Sequence, residues 1–90
     1  MTILVDSALW RWRDRWWCHL VSDTSLDELH KFADHLGLPD RAFGGDHYDI
    51  PQEIRAQAIA AGAREVTCKE LVTALYRAGI RTPPRITSPN

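Results

Sequence analysis

No stretch of this chain is apolar for anything near the ~20 residues that a membrane-spanning helix needs. Its first residues carry neither the basic region nor the long apolar region of a secretory signal. Cysteine is scarce. Cys18 and Cys68 lie far apart and match no zinc-binding or redox spacing. A cytoplasmic protein with reduced thiols is therefore expected. No charge of one sign dominates. The net charge of −1 at pH 7 gives no reason to expect a membrane or extended contact with nucleic acid. Walker and Rossmann glycine fingerprints are missing, as are His-x-His and His-x-x-x-His pairs and any internal repeat.

What is there is an ordinary globular composition, 44% hydrophobic and 26% charged over 90 residues. That length makes one domain, which buries somewhat over ~60% of its unfolded surface around one modest core. The chain reads as an α/β domain over residues 1–80 and a Pro-rich tail over 81–90.

Taken in order, Thr2-Ile3-Leu4-Val5 reads as a buried strand ending at Asp6. An acid at a strand's carboxyl end suits a site in an α/β sheet; it also suits a plain turn. Trp10 to Trp17 then crowds four tryptophans and three arginines together. If the run is extended throughout, Trp10, Trp12 and Trp16 share one face and Arg11, Arg13 and Arg15 the other. That composition fits a phosphate or stacked base, a dimer interface, or a half-buried loop.

Trp17 to Val21 reads as a second strand, with Cys18 and Leu20 on one face and Trp17, His19 and Val21 on the other. It ends near a second acid, Asp23. The first helix opens at Ser25 with a capping box completed by Glu28 and closes at Gly37. Leu26, Leu29, Phe32, Ala33 and Leu36 form its apolar stripe. A loop over 40–45 ends in Gly44-Gly45, whose backbone can approach a ligand closely. Asp46-His47-Tyr48-Asp49 follows, four titratable residues in a row. A second helix begins after them. Asp49 suits its N-cap, and Arg55 falls one turn in. Arg64-Glu65-Val66 makes a brief strand, and a Thr67–Glu70 capping box starts the third helix.

The order β-β-α-(β)-α-β-α predicts an α/β fold, with a small, mixed, largely parallel sheet of three or four short strands and three helices. The link between the first two strands is short for a crossover, so that pair is the one expected to run antiparallel. Asp6 and Asp23 then sit at opposite ends of it.

An N-terminal strand ending in Asp6 is followed by Cys18-His19-Leu20-Val21-Ser22-Asp23-Thr24, Glu28-Leu29-His30 and Gly37. Next come His47-Tyr48-Asp49-Ile50, Arg55 and Ala60-Ala61-Gly62-Ala63. This pattern resembles the short bacterial and phage proteins of the domain-of-unknown-function 4031 family, over nearly the whole chain to about residue 80. The resemblance implies no activity. It draws attention to Asp6, His19, Asp23, His47, Tyr48, Asp49 and Arg55, and marks the cysteine and the tryptophan run as local variation.

Three readings of function stand open on the residues. The first is a binding module for a phosphate-bearing small ligand such as a nucleotide. It would be held by His19, His47, Tyr48, Asp49, Arg55, Trp10, Gly44 and Gly45, with the second helix's N-terminus attracting the phosphate. The second is a metal-dependent phosphoesterase or nuclease, with a divalent metal as cofactor and Asp6, Asp23, His47 and Asp49 as candidate ligands beside His19. The third is a non-catalytic protein that forms a homodimer through Trp10–Trp17.

Overall fold

The computed structural model describes residues 1–7 and 10–82. The expected tail lies outside the described residues from position 83 onward. The described chain runs β1 (Ile3–Val5), β2 (Trp10–Trp12), β3 (Arg15–Ser22), α1 (Leu26–Leu36), a 3-10 turn (Asp40–Ala42), β4 (Tyr48–Pro51), α2 (Gln52–Ala60), β5 (Arg64–Glu65) and α3 (Cys68–Arg77). No described helix is long and apolar enough to cross a membrane.

β3 is the spine of a five-stranded mixed sheet. Its second half pairs antiparallel with β1 (Ile3↔Ser22, Val5↔Leu20). Its first half pairs antiparallel with β2 (Trp10↔Trp17, Trp12↔Arg15). β4 lines its other edge, also antiparallel (Trp17↔Pro51, Leu20↔Tyr48). Among the described strands only β1 and β5 run parallel. The expectation of a largely parallel sheet is thus corrected. A helix between two strands usually implies a crossover. After α1, however, residues 37–47 carry the chain back along the sheet. β4 therefore starts beside Leu20 and descends against β3.

β2 is an element that the sequence pattern hides. Arg13 and Asp14 both have positive φ, 51° and 60°, the conformation of a two-residue hairpin turn whose twist matches the strands. The turn resets the alternation. Trp10, Trp12, Arg15 and Trp17 lie on one face, while Arg11 and Trp16 lie on the other. The expected common face of Trp10, Trp12 and Trp16 does not form.

Each face has its own core. Ile3, Val5, Cys18, Leu20, Tyr48 and Ile50 point toward α1 and α2, meeting Leu29, Ala33 and Ala58. Leu4 and Val21 point the other way, against Leu71 and Leu75 of α3. α3 covers only that end of its face. Trp17 and His19 of β3 and Asp49 of β4 share the same face beyond the helix's reach. This uncovered half-face holds the site.

The helix caps follow local chemistry, with two departures from expectation. The Thr67–Glu70 box is complete in α3. In α1, Ser25 accepts from the Glu28 amide, but the Glu28 carboxylate accepts from the Ser22 hydroxyl instead of closing the box. Asp49 is not the N-cap of α2. Pro51 holds that position without a side-chain bond, and Asp49 lies within β4. The fixed φ of proline suits the last residue of an edge strand and frees Asp49 for other work.

Cys18 is fully buried among the α1–α2 core. Burial, reinforced by the nearby Asp6 charge, pushes its thiol from an ordinary 9.0 up to about 12. A raised folded pKa means that the unfolded chain ionises first. The thiol's contribution to stability is full below pH 9 and is lost as pH rises toward 12, at about 1.4 kcal/mol per pH unit. Denaturant unfolding between pH 8 and 11 should show that slope in the wild type and lose about that much of it in Cys18→Ala. An unchanged slope in the variant would remove the thiol from the account.

Candidate functional site

The site assembles from three neighbouring pieces of backbone. His19 of β3 and Asp49 of β4 are directly opposed in the antiparallel ladder, so their side chains rise side by side on the uncovered face. His47 sits in the turn that leads into β4. Its ring meets the His19 ring edge-on, 5.1 Å between centroids, and its Nε2 lies 3.2 Å from Asp49 Oδ1. One ligand atom from each of His19, His47 and Asp49 lies within 4.8 Å of the other two.

Each histidine is backed by a carboxylate. Asp6 leaves β1 fully buried. Its Oδ1 accepts from the His19 amide at 2.7 Å, and its Oδ2 lies 2.8 Å from His19 Nδ1. That hydrogen bond raises the His19 pKa, against the opposing effect of burial. Asp46 Oδ1 lies 2.7 Å from His47 Nδ1. Arg81 grips the same Asp46 with two bonds, Nε to Oδ2 at 2.6 Å and a terminal nitrogen to Oδ1 at 2.9 Å. With the Arg81 bonds first and the His47 bond adding to them, the Asp46 carboxyl falls to about 2, so it is ionised at any ordinary pH. Both Nδ1 atoms thus face carboxylates. A neutral His19 in that setting keeps its proton on Nδ1 and leaves Nε2 as the free lone pair, while His47 Nε2 faces Asp49 Oδ1 at 3.2 Å, where a proton or a cation can bridge the two.

Beside this cluster lies a cleft of about 320 Å3 lined by Trp10, Trp12, Trp17 and Asp49. The Trp10 ring packs 4.6 Å from the His19 ring. The hairpin turn is what turns Trp17 toward Trp10 and Trp12 and sends Trp16 to the opposite face.

The remaining sequence candidates separate. Tyr48 is buried on the α1–α2 side, its hydroxyl 2.7 Å from His30 Nδ1. Asp23 sits at the far end of β3, accepting from the Thr2 amide at 2.8 Å. It lines a larger, open hollow with Arg64, Lys69, Glu70 and Arg77, where charges of both signs alternate. The antiparallel β1–β3 pairing keeps Asp23 from Asp6, as the short link between the strands requires. Arg55 turns inward: its Nε donates to the Asp6 carbonyl and a terminal nitrogen to Glu65, both at 2.8 Å. The Gly44 amide, expected to be open to an anion, donates to the His47 carbonyl at 2.7 Å. Gly44 instead makes room. A β-carbon there would stand 2.7 Å from His47 Nε2. Arg81 falls at the start of the expected tail, and nothing local in its Pro-rich surroundings marks it as a partner of Asp46, thirty-five positions away.

A family model described as "Protein of unknown function (DUF4031)" matches residues 3–78 of the 90-residue chain. The chain belongs to the DUF4031 family. No curated protein and no solved structure matches it at a significant level. The DUF4031 match takes in His19, His47, Asp49 and the two carboxylates behind the histidines, and ends before Arg81.

Proposed function

We propose that this chain is a metal-dependent phosphoesterase whose divalent ion is held by His19, His47 and Asp49. The observation that carries the reading is the pair of carboxylate-backed histidines converging on one half-exposed carboxylate. Carboxylates behind metal-bound imidazoles fix the tautomer and strengthen the donor nitrogen. Two imidazoles and one carboxylate suit Zn²⁺ or Mn²⁺, with coordination positions left for water and substrate. Asp49, whose side chain is 42% exposed, marks the side from which both arrive. The ion supplies a water of lowered pKa and a charge that draws the phosphoryl oxygens.

Electrostatics favours this reading over a bare phosphate site. Asp6, Asp46 and Asp49 surround the histidines, and Arg81 is already committed to Asp46. Opposed charges at ~4 Å interact by a few kcal/mol near a protein surface, so a cluster of this sign repels free phosphate and attracts a cation. The dimer reading is weakened differently. The hairpin sends Trp16 to the face opposite Trp10, Trp12 and Trp17, so the run does not offer all four indoles to one partner.

The test is metal analysis of the purified protein, followed by zinc and manganese titration after chelator treatment. One equivalent of either ion, together with metal-dependent release of p-nitrophenol from a p-nitrophenyl phosphoester, is expected. At a hundredfold excess over Kd the bound ion should add ~2.7 kcal/mol to stability. A protein that takes up neither ion overturns the proposal.

Gly44→Ala provides a check within the fold. Asp46 and Asp49 hold the His47 ring from both sides, so the added methyl group displaces a ring that has nowhere to go. Metal affinity should fall by about 10-fold or more, the scale of losing an orienting partner, while circular dichroism stays unchanged. Wild-type affinity in Gly44→Ala would mean that His47 is not a ligand.

A further inference from the structure

Resting on the metal-site reading, we propose that the Trp10–Trp12–Trp17 cleft binds the base of a nucleoside phosphate. The ester's phosphate would lie at His19, His47 and Asp49. Cleft and cluster are one continuous surface. Asp49 belongs to both, and Trp10 lies against His19. A ligand with its phosphate on the ion therefore reaches the indoles with its other end.

The lining says what that end is. Three indoles and one carboxylate form the walls, and about 320 Å3 is near the small end of the range for small-molecule sites. Aromatic faces select a flat ring, and every nucleobase offers one. The Trp17 ring is fixed for this. Its Nε1–H donates to the Trp12 carbonyl at 2.9 Å, which satisfies its polar edge and leaves the face for contact. Trp12 and Trp17 pack against each other, 5.7 Å between centroids and inclined at 58°, so they form one fixed aromatic wall of the cleft. Arg15 shares this face, and Arg13 lies over the Trp12 ring at 4.4 Å. Arg13 thus covers Trp12 at the outer end, where Arg15 is paired with Glu53 at 3.5 Å, while the metal-site residues stand at the inner end. That arrangement orders the ligand: phosphate inward on the metal and base among the indoles.

The test compares adenosine 5′-monophosphate with ribose 5-phosphate on zinc-loaded protein, by calorimetry, in the wild type, Trp12→Ala and Trp12→Phe. Trp12 is 53% exposed, so its truncation leaves the core intact. The nucleotide should bind about tenfold tighter than the sugar phosphate in the wild type. Trp12→Ala should erase that difference and keep zinc affinity, and Trp12→Phe should retain most of it. A 5′-phosphorylated tetranucleotide forms a second arm: tighter binding than the mononucleotide assigns the cleft to strand ends, and equal or weaker binding to free nucleotides. If zinc binds but the base adds nothing, this inference falls and the metal site stands. If neither zinc nor manganese binds, both fall.

Discussion

Asp49→Asn is expected to empty the metal site while leaving the fold in place. The substitution replaces one carboxylate oxygen with an amide nitrogen, which carries no charge and offers no lone pair to a metal. What remains beside the two imidazoles is one neutral amide oxygen, a much weaker donor to zinc than a carboxylate. Loss of an outer partner typically costs 10–100-fold in affinity. Loss of a charged ligand from a set of three should exceed that, so zinc affinity should fall by more than about 100-fold and hydrolysis should follow it down. Stability should change by no more than about 0.5 kcal/mol, because the side chain is 42% exposed and caps no helix. Equilibrium dialysis with zinc and a urea melt on the same samples separate the two effects. A variant that keeps its metal shows that Asp49 is a surface acid beside His47 and nothing more. One that loses metal and fold together returns it to a structural role.

Asp49 also shows what the sequence could and could not reveal. Its residue type and its place after Gly44-Gly45 and His47 single it out in the sequence, and the sheet sets it opposite His19. The same residue, however, fits a helix N-cap by local rules. Only Pro51, taking the cap without a side-chain bond, decides the matter. Local chemistry was legible in the alternation of β3, the Thr67 box and the left-handed Gly37 that ends α1, but not in the Ser25 box, whose Glu28 turns to Ser22. What escaped rests on contacts between distant segments, or on a turn without its usual residues. Arg81 and Asp46 meet only because α3 brings the end of the domain back to the His47 turn. Arg13-Asp14 adopts a conformation usually held by Asn-Gly, so no glycine announced the hairpin that splits the tryptophans. The largely antiparallel sheet was hidden for the same reason, since the return path over residues 37–47 has no periodic signature.

Asp6 separates stability from chemistry most sharply. Its carboxylate is fully buried and serves His19 twice, once at the amide and once at Nδ1. Asp6→Ala strips both bonds and leaves a buried N–H without an acceptor. Hydrogen bonds to a charged acceptor are worth about 1.5–3 kcal/mol each, and in a domain of this size each kcal/mol lowers Tm by roughly 4–8 °C, so losing two of them should lower the melting point by more than about 12 °C. Asp6→Asn should behave differently. The amide oxygen can still accept from the His19 backbone, which preserves the local fold, but the other position now presents an N–H to Nδ1. His19 must answer with a lone pair, which moves its proton to Nε2, the nitrogen that the metal requires. The fold should survive with a loss of about 1–2 kcal/mol, the difference between a charge-assisted and a neutral hydrogen bond, while zinc affinity falls by about 10–100-fold. Nitrogen NMR of the His19 ring reads the tautomer directly, so any loss of zinc can be tied to the position of the proton. If Asp6→Asn shifts the tautomer and zinc still binds as in the wild type, His19 is not a ligand and the cluster reduces to His47 and Asp49, too few donors for the site proposed.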